Sequence, residues 1–274
     1  MTSPYEQSAP SAHAAHEAFA DFTTATAVTA LGGPTVLIDI DGRRFVVDPT
    51  FDAAGEHPIG SRTLTKTADA VLGPDDLGTV DAVLLSHDQH PDNLDDLGRQ
   101  FLTRVPVVFT TTLAAGRITA TAHGLAPWET ATLGATTITA VPAQHGPDGC
   151  EPLTGPVIGF VLTTAGAPTI YVSGDNASLD VVRQIAQRLP RPDLAIVFAG
   201  AARTPVLDGI LTLTSTQALD ATRILGNPIV LPVHTEGWAH FTENTADLIA
   251  AFTSANADGL LLDSTPGRRI TVVG

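Results

Sequence analysis

The segment 82–86, Ala-Val-Leu-Leu-Ser, runs straight into His87-Asp-Gln-His-Pro-Asp-Asn-Leu-Asp95. A short run that is apolar on both faces reads as a strand buried between layers. At its end stand two imidazoles and three carboxylates within nine residues. Polar groups at the end of a buried strand face the mouth of a fold, where ligands bind. Imidazole and carboxylate are the usual nitrogen and oxygen ligands of zinc and related divalent ions. A simpler reading is a helix cap, with Asp92 or Asn93 capping a helix that begins near Leu94.

Three other segments repeat the arrangement. His145 follows the strand 136–141, Asp175 follows the strand 169–173, and His234 follows the strand 228–233. Gly174, just before Asp175, lets the backbone turn sharply there. Four strand ends, each followed by a ligand-type residue, point to one shared edge.

The rest of the pattern supplies the scaffold. Segments 35–40 and 43–47 read as a hairpin around an Asp41-Gly42 turn, closed by Asp48-Pro49. Further strands are expected at 106–110, 157–162 and 194–198, with short strands within 260–273. Helical spacing predicts helices at 94–101, 178–188, 214–225 and 242–254. Hairpins early and strand–helix alternation later give an α/β (α+β) class, with two mixed sheets packed together and helices outside. Residues 1–24 carry no clear pattern and read as a mobile lead-in. Residues 25–274 read as a single domain, without linker or short-period repeat.

Composition narrows the partners. Twenty-nine acidic residues against 14 basic give a formal charge of −15, a field that repels phosphate backbones and argues against nucleic acid. The lone Cys150 excludes an intrachain disulfide and a multi-cysteine zinc site. No apolar run approaches the ~18 residues of a membrane span, and the start lacks a basic region followed by an apolar stretch. A cytoplasmic protein with a small-molecule substrate, and room for self-association into a homo-oligomer, is expected.

This order of residues resembles the metallo-β-lactamase fold superfamily over roughly 35–273. Nearest are its ascorbate-6-phosphate lactonase-like and phospholipase D-like branches, which share the hairpin ending in Asp-Pro and a late His-Phe segment. The resemblance implies a four-layer αββα sandwich holding one or two divalent ions, most often zinc, with manganese or iron as alternatives. It implies His87, His90 and His145 around one ion, and Asp92, Asp175 and His234 around the other. The usual pattern is His-x-His-x-Asp-His. Here Gln89 interrupts it, and Asn93 or its neighbour displaces a histidine of the second ion, so that site is expected to be weakened, altered or absent. The implied activity is metal-dependent hydrolysis of a small ester, lactone or phosphoester. Asp92 would orient the attacking water or take its proton, and His240 would donate a proton to the leaving group.

Rival readings on the same fold are a mononuclear iron oxygenase or redox enzyme, and a non-catalytic ligand-binding descendant. His240 could instead cap the following helix, with Trp238 and Phe241 packing beneath it. Asp48 either steadies the metal loop or merely forms a turn. Arg203 either binds an anion or lies in a plain loop. His13, His16, His57 and His123 are expected to be ordinary histidines.

Overall fold

A computed structural model describes residues 25–118 and 120–272. The expected lead-in, 1–24, with His13 and His16, lies outside the described residues. Strands β1 (Ala27–Gly32), β2 (Thr35–Ile40) and β3 (Arg43–Val47) run antiparallel. The turn between β2 and β3 places Asp41 at φ +52° and Gly42 at φ +67°. Two consecutive positive values are what a tight hairpin of right-handed twist requires, and aspartate and glycine tolerate them best. Strands β4 (Gly55–Ile59) and β5 (Arg62–Lys66) form a separate two-stranded hairpin. Beyond β3, strands β6 (Ala82–Leu84), β7 (Val108–Thr111) and β8 (Ala122–Leu125) continue the sheet in parallel.

The second sheet holds β9 (Thr130–Leu133), β10 (Thr136–Ala143), β11 (Val157–Thr163), β12 (Ile170–Val172), β13 (Leu194–Phe198) and β14 (Ile229–Val233). Its order is β14-β13-β12-β11-β10-β9, parallel from β12 to β14 and antiparallel elsewhere. The last strand, β15 (Arg269–Thr271), returns to the first sheet beside β1.

Alternation along the strands sets the layers. Ile38, Phe45 and Leu84 of the first sheet meet Phe160, Ile196 and Leu231 of the second in the central core. Leu37, Val46 and Val83 point the other way, onto Phe101 and Leu102 of helix α1 (Asp96–Leu102). Val161, Tyr171 and Val197 cover the far side of the second sheet. There they pack under Val182, Leu219 and Phe252 of three longer helices. Counting on past the short α2 (Thr112–Ala115) and α3 (Glu151–Thr154), these are α4 (Leu179–Arg188), α5 (Ser215–Ile224) and α6 (Thr245–Ser254). Each such side chain contributes about 1.5–3 kcal/mol by leaving water. The result is the expected αββα sandwich.

Several local expectations need correction. The strand expected at 82–86 ends at Leu84. The helix expected at 94–101 starts at Asp96, and its cap is Asp95, whose carboxylate accepts the Gly98 N–H at 2.8 Å. Asp92 and Asn93 are therefore not caps. The helix expected at 242–254 starts at Thr245 behind an Asn244–Asp247 capping box, so His240 does not cap it. Among the described residues, the C-terminal stretch holds one 3₁₀ turn, a single bridging residue, Leu261, paired with Val230, and one strand, rather than several strands.

The β4–β5 hairpin lies across the edge where the ligand-type residues gather. Lys66, the sole lysine of the sequence, fixes its base. Its buried ammonium donates to Asp95 Oδ2 and to the Thr50 carbonyl, each at 3.2 Å. It also stands 5.7 Å from the centre of the Trp238 ring. Among the described residues, no helix is long and apolar enough to cross a membrane.

Candidate metal centre

The six residues expected as ligands all lie in loops just beyond strand ends: His87, His90 and Asp92 after β6, His145 after β10, Asp175 after β12, His234 after β14. Two of these turns need unusual backbone. Gly174 has φ +57°, and an added Cβ would lie 2.7 Å from the Ile158 carbonyl oxygen. His234 itself sits at φ +56°, held there by its N–H bond to the Gly33 carbonyl at 2.8 Å. A side chain in this region costs about 1–2 kcal/mol, and the surrounding packing maintains it.

The structure brings all six together. His87, His90, His145 and Asp175 each offer a ligand atom within 4.8 Å of the others, and Asp92, Asp175 and His234 do the same. Asp175 belongs to both groups. In the first, His90 Nδ1 lies 2.8 Å from His87 Nε2 and 3.2 Å from His145 Nε2.

Neighbouring atoms determine which nitrogens are bare. The Ser86 hydroxyl donates to Asp48 Oδ2 at 2.6 Å and so accepts from His87 Nδ1 at 2.9 Å. The Leu211 carbonyl accepts from His145 Nδ1 at 2.9 Å. Each bond puts the ring proton on Nδ1 and leaves the Nε2 lone pair facing the cluster.

The electrostatics suit a cation. Burial drives His87 well below the usual histidine range, and brings His90 and His145 down to about 4, so all three imidazoles are neutral near pH 7. Burial pushes Asp48 and Asp175 up to about 7. For Asp92 burial acts upward too, but the charge of His240 and hydrogen bonds from His234 and His240 outweigh it and hold the carboxyl well below its ordinary value. Neither carboxylate oxygen of Asp175 has a hydrogen-bond partner among the described residues. The nearest imidazole nitrogens stand 3.5, 3.6 and 3.9 Å away. A buried carboxylate without a partner is strongly disfavoured. The inward Nε2 lone pairs of His87 and His145, with His90 beside them, complete a donor set that divalent metals fit.

The remaining expectations resolve individually. Asp48 is more than a turn residue: it accepts from the Ser86 N–H and hydroxyl, each at 2.6 Å, and from the Asn93 amide at 3.1 Å. It thereby ties the first strand end to the ligand loop. His240 points Nε2 at Asp92 Oδ2, 3.1 Å away. Trp238 is buried against Lys66 and His57 instead of under the last helix, and Phe241 packs on the His234 ring at 4.1 Å. Cys150 is buried and donates its thiol to the His145 carbonyl at 3.0 Å. His57 lies 3.5 Å from Asp52 and packs on Trp238, and His123 sits on β8 near Phe109; neither belongs to a donor group.

A narrow cavity opens above the centre. His90, Asp92, His145 and His240 form its floor, and Ile59, Leu64, Leu153 and Leu211 form apolar walls. Arg62 and Arg203 also line it. Arg62, at the tip of the β4–β5 hairpin, donates to the Thr204 hydroxyl across the cavity. Sequence reasoning missed Arg62, Leu153 and Thr204. The available signal was Ile59-Gly60-Ser61-Arg62, a turn between two short threonine- and isoleucine-bearing runs.

A sequence model of the beta-lactamase superfamily domain matches residues 43–235. A UPF0173 metal-dependent hydrolase of Methanosphaerula palustris is 28% identical over 165 residues, spanning 58% of this chain and 69% of that protein. Among solved structures, a possible metal-dependent hydrolase from Veillonella parvula matches 90% of this chain and 99% of its own, with TM-score 0.79 and 19% identity. Isothiocyanate hydrolase from Delia radicum gut bacteria matches 90% of this chain and 100% of its own, with TM-score 0.78 and 21% identity. At these identities the two structures speak for the fold alone.

Proposed function

Since the chain belongs to the beta-lactamase superfamily, in its metallo-β-lactamase fold, we propose that it is a metal-dependent hydrolase of small esters, lactones or phosphoesters. The observation that carries this reading is Asp175: a buried carboxylate without hydrogen bonds, shared by two groups of inward-facing donors. His87, His90, His145 and Asp175 would hold one ion. Asp92, Asp175 and His234 would take part in a second. When bound, such ions supply Lewis acidity and make a water acidic enough to ionise near neutral pH. Zinc suits a set of imidazoles and carboxylates, and manganese and iron share that preference.

The chain's own groups do the rest. Asp92, kept ionised by His234 and His240, lies at the cavity floor and accepts a hydrogen bond from the attacking water, orienting it. Ile59, Leu64, Leu153 and Leu211 exclude bulk water and take the apolar part of the substrate. Arg62 and Arg203 at the rim favour a substrate with a polar or anionic group. The narrowness of the cavity limits it to small molecules. Residues 25–274 serve as one domain in this reading, with the site on the edge shared by the two sheets.

The test is a panel of small esters, lactones and phosphoesters assayed before and after removal of metal by chelator. Loss of hydrolysis, restored by zinc or manganese, supports the proposal. Full hydrolysis by stripped protein, or none by loaded protein across the panel, rejects it.

A further inference from the structure

We propose that Arg203 selects the substrate by pairing with a carboxylate at the end remote from the bond that is cut, so that the substrate class is a short ester or lactone bearing one free carboxylate. The inference deepens the hydrolase reading above and rests on it.

Arg203 differs from every other cation of the chain. Of the 14 basic residues, all the others meet a carboxylate, a carbonyl, a hydroxyl or an aromatic ring. Even the well-exposed Arg104, Arg183, Arg223 and Arg268 each reach an aspartate. The Arg203 guanidinium has no partner among the described residues, although the chain carries 29 acidic residues and a charge of −15. It lines the cavity over the donor cluster.

Its backbone is fixed there. The Arg203 N–H donates to the His240 carbonyl at 3.1 Å, and the Ala202 N–H donates to Thr212 Oγ1 at 3.0 Å. The Ala202 carbonyl accepts the Leu211 N–H at 2.7 Å. The cavity also reverses the sign of the molecule's charge. Two arginines line it against one carboxylate, Asp92, whose Oδ2 already faces His234 and His240. Arg62 is engaged by the Thr204 hydroxyl, which leaves Arg203 for a ligand.

A guanidinium pairs with a carboxylate through two parallel N–H bonds. One unengaged cation compensates one charge. The second charge of a phosphate monoester at the same end would stand in the field of the acidic surface. Leu153 and Val206, 65% and 54% exposed, line the cavity with Arg203 and offer an apolar surface to the body of the substrate. The carboxylate then lies at the rim, and the reactive bond lies at the floor beside His90 and Asp92.

The test compares matched substrates on full-length, zinc-loaded protein. Monomethyl esters of succinate, glutarate and adipate are each assayed beside the dimethyl ester and beside the methyl ester of the matching phosphono acid. γ-Butyrolactone is assayed with and without a γ-carboxylate. The best carboxylate substrate should exceed its neutral counterpart in kcat/KM by about 10–100-fold, and its phosphono counterpart too. Salt at about 1 M should shrink that ratio. Arg203→Ala should bring the ratio close to one, and Arg203→Lys should restore part of it. Arg223→Ala, which removes a surface pair with Asp220, should keep the ratio. A wild-type ratio near one in every pair, a ratio that survives Arg203→Ala, or a preference for the phosphono substrates would overturn the inference while leaving the hydrolase reading intact. Hydrolysis of none of these compounds counts against the hydrolase reading, and calorimetry then decides on Arg203 alone. Tighter binding of N-methylglutaramate than of N,N′-dimethylglutaramide, abolished by Arg203→Ala, supports the pairing; equal affinity or no binding overturns it. Should Arg203→Ala misfold by circular dichroism, Arg203→Gln takes its place in both arms.

Discussion

The Ser86 hydroxyl links the carboxylate of Asp48 to the imidazole of His87. It donates to Asp48 Oδ2 at 2.6 Å and lies 2.9 Å from His87 Nδ1. Replacing Ser86 by alanine removes the acceptor that fixes the His87 ring and one of the donors on a buried carboxylate. Partners of this kind change metal affinity by about 10–100-fold. Ser86→Ala should therefore stay folded by circular dichroism and bind its first ion at least tenfold more weakly in a metal titration. Unchanged affinity would mean that packing alone orients the ring.

Protons and metal compete at this centre, and the direction of the competition follows from burial. Ions need ionised carboxylates and neutral imidazoles. The Asp175 carboxyl is raised to about 7, so below that pH its proton must leave before an ion can bind. His90 and His145 are lowered to about 4 and take up protons only in strongly acidic solution. Apparent metal affinity should fall by about tenfold per pH unit from 7 towards 4, then more steeply. Titrations at pH 5, 6, 7 and 8 check this, and a flat profile between 5 and 7 contradicts it.

Arg62 spans the cavity from the hairpin tip to Thr204. Its loss should loosen the hairpin over the substrate without touching the donor cluster. A hydrogen bond from a charged group is worth about 1.5–3 kcal/mol. Arg62→Ala should therefore raise KM by about tenfold or more, most for anionic substrates, with kcat within about threefold of wild type. A fall in kcat at constant KM would place Arg62 in the chemistry instead of in binding.

Gly200 lies where the loop after β13 touches the loop carrying His234. A Cβ there would stand 2.1 Å from the His234 carbonyl oxygen and 3.0 Å from the Phe241 ring. One of the two loops must move. Overpacking of this kind costs about 1–3 kcal/mol, which lowers the melting temperature of a chain this size by roughly 2–12 °C. Gly200→Ala should melt earlier and also bind metal more weakly, because His234 moves with its carbonyl. A variant with the wild-type melting point would show that the loops have slack.

The parts of the fold that were legible were those whose residues admit one backbone. Asp41-Gly42 marks a hairpin because few other pairs accept two positive φ values. The segments 157–162 and 194–198 read as strands because layers bury both faces. The β4–β5 hairpin gave no such signal. Its strands alternate between half-buried and exposed, include Pro58, and place Ile59 and Leu64 over a cavity instead of in a core. Strand β9 is half-exposed for a related reason, being the edge of its sheet. The gathering of His87, His145, Asp175 and His234 was foreshadowed by their shared position after strands. His240 was expected at the site as well, six positions past His234; its partner there, Asp92, was not legible, since the loop direction depends on Trp238 and Phe241 finding different neighbours from the last helix.

The burial of Lys66 beneath the hairpin makes its ε-amine a chemical reporter. In the native state an acylating reagent meets no other lysine side chain, and this one is enclosed by Asp95, Thr50 and an indole ring. Acylation at Lys66 thus requires the hairpin to lift, and its rate measures how often the roof of the cavity opens.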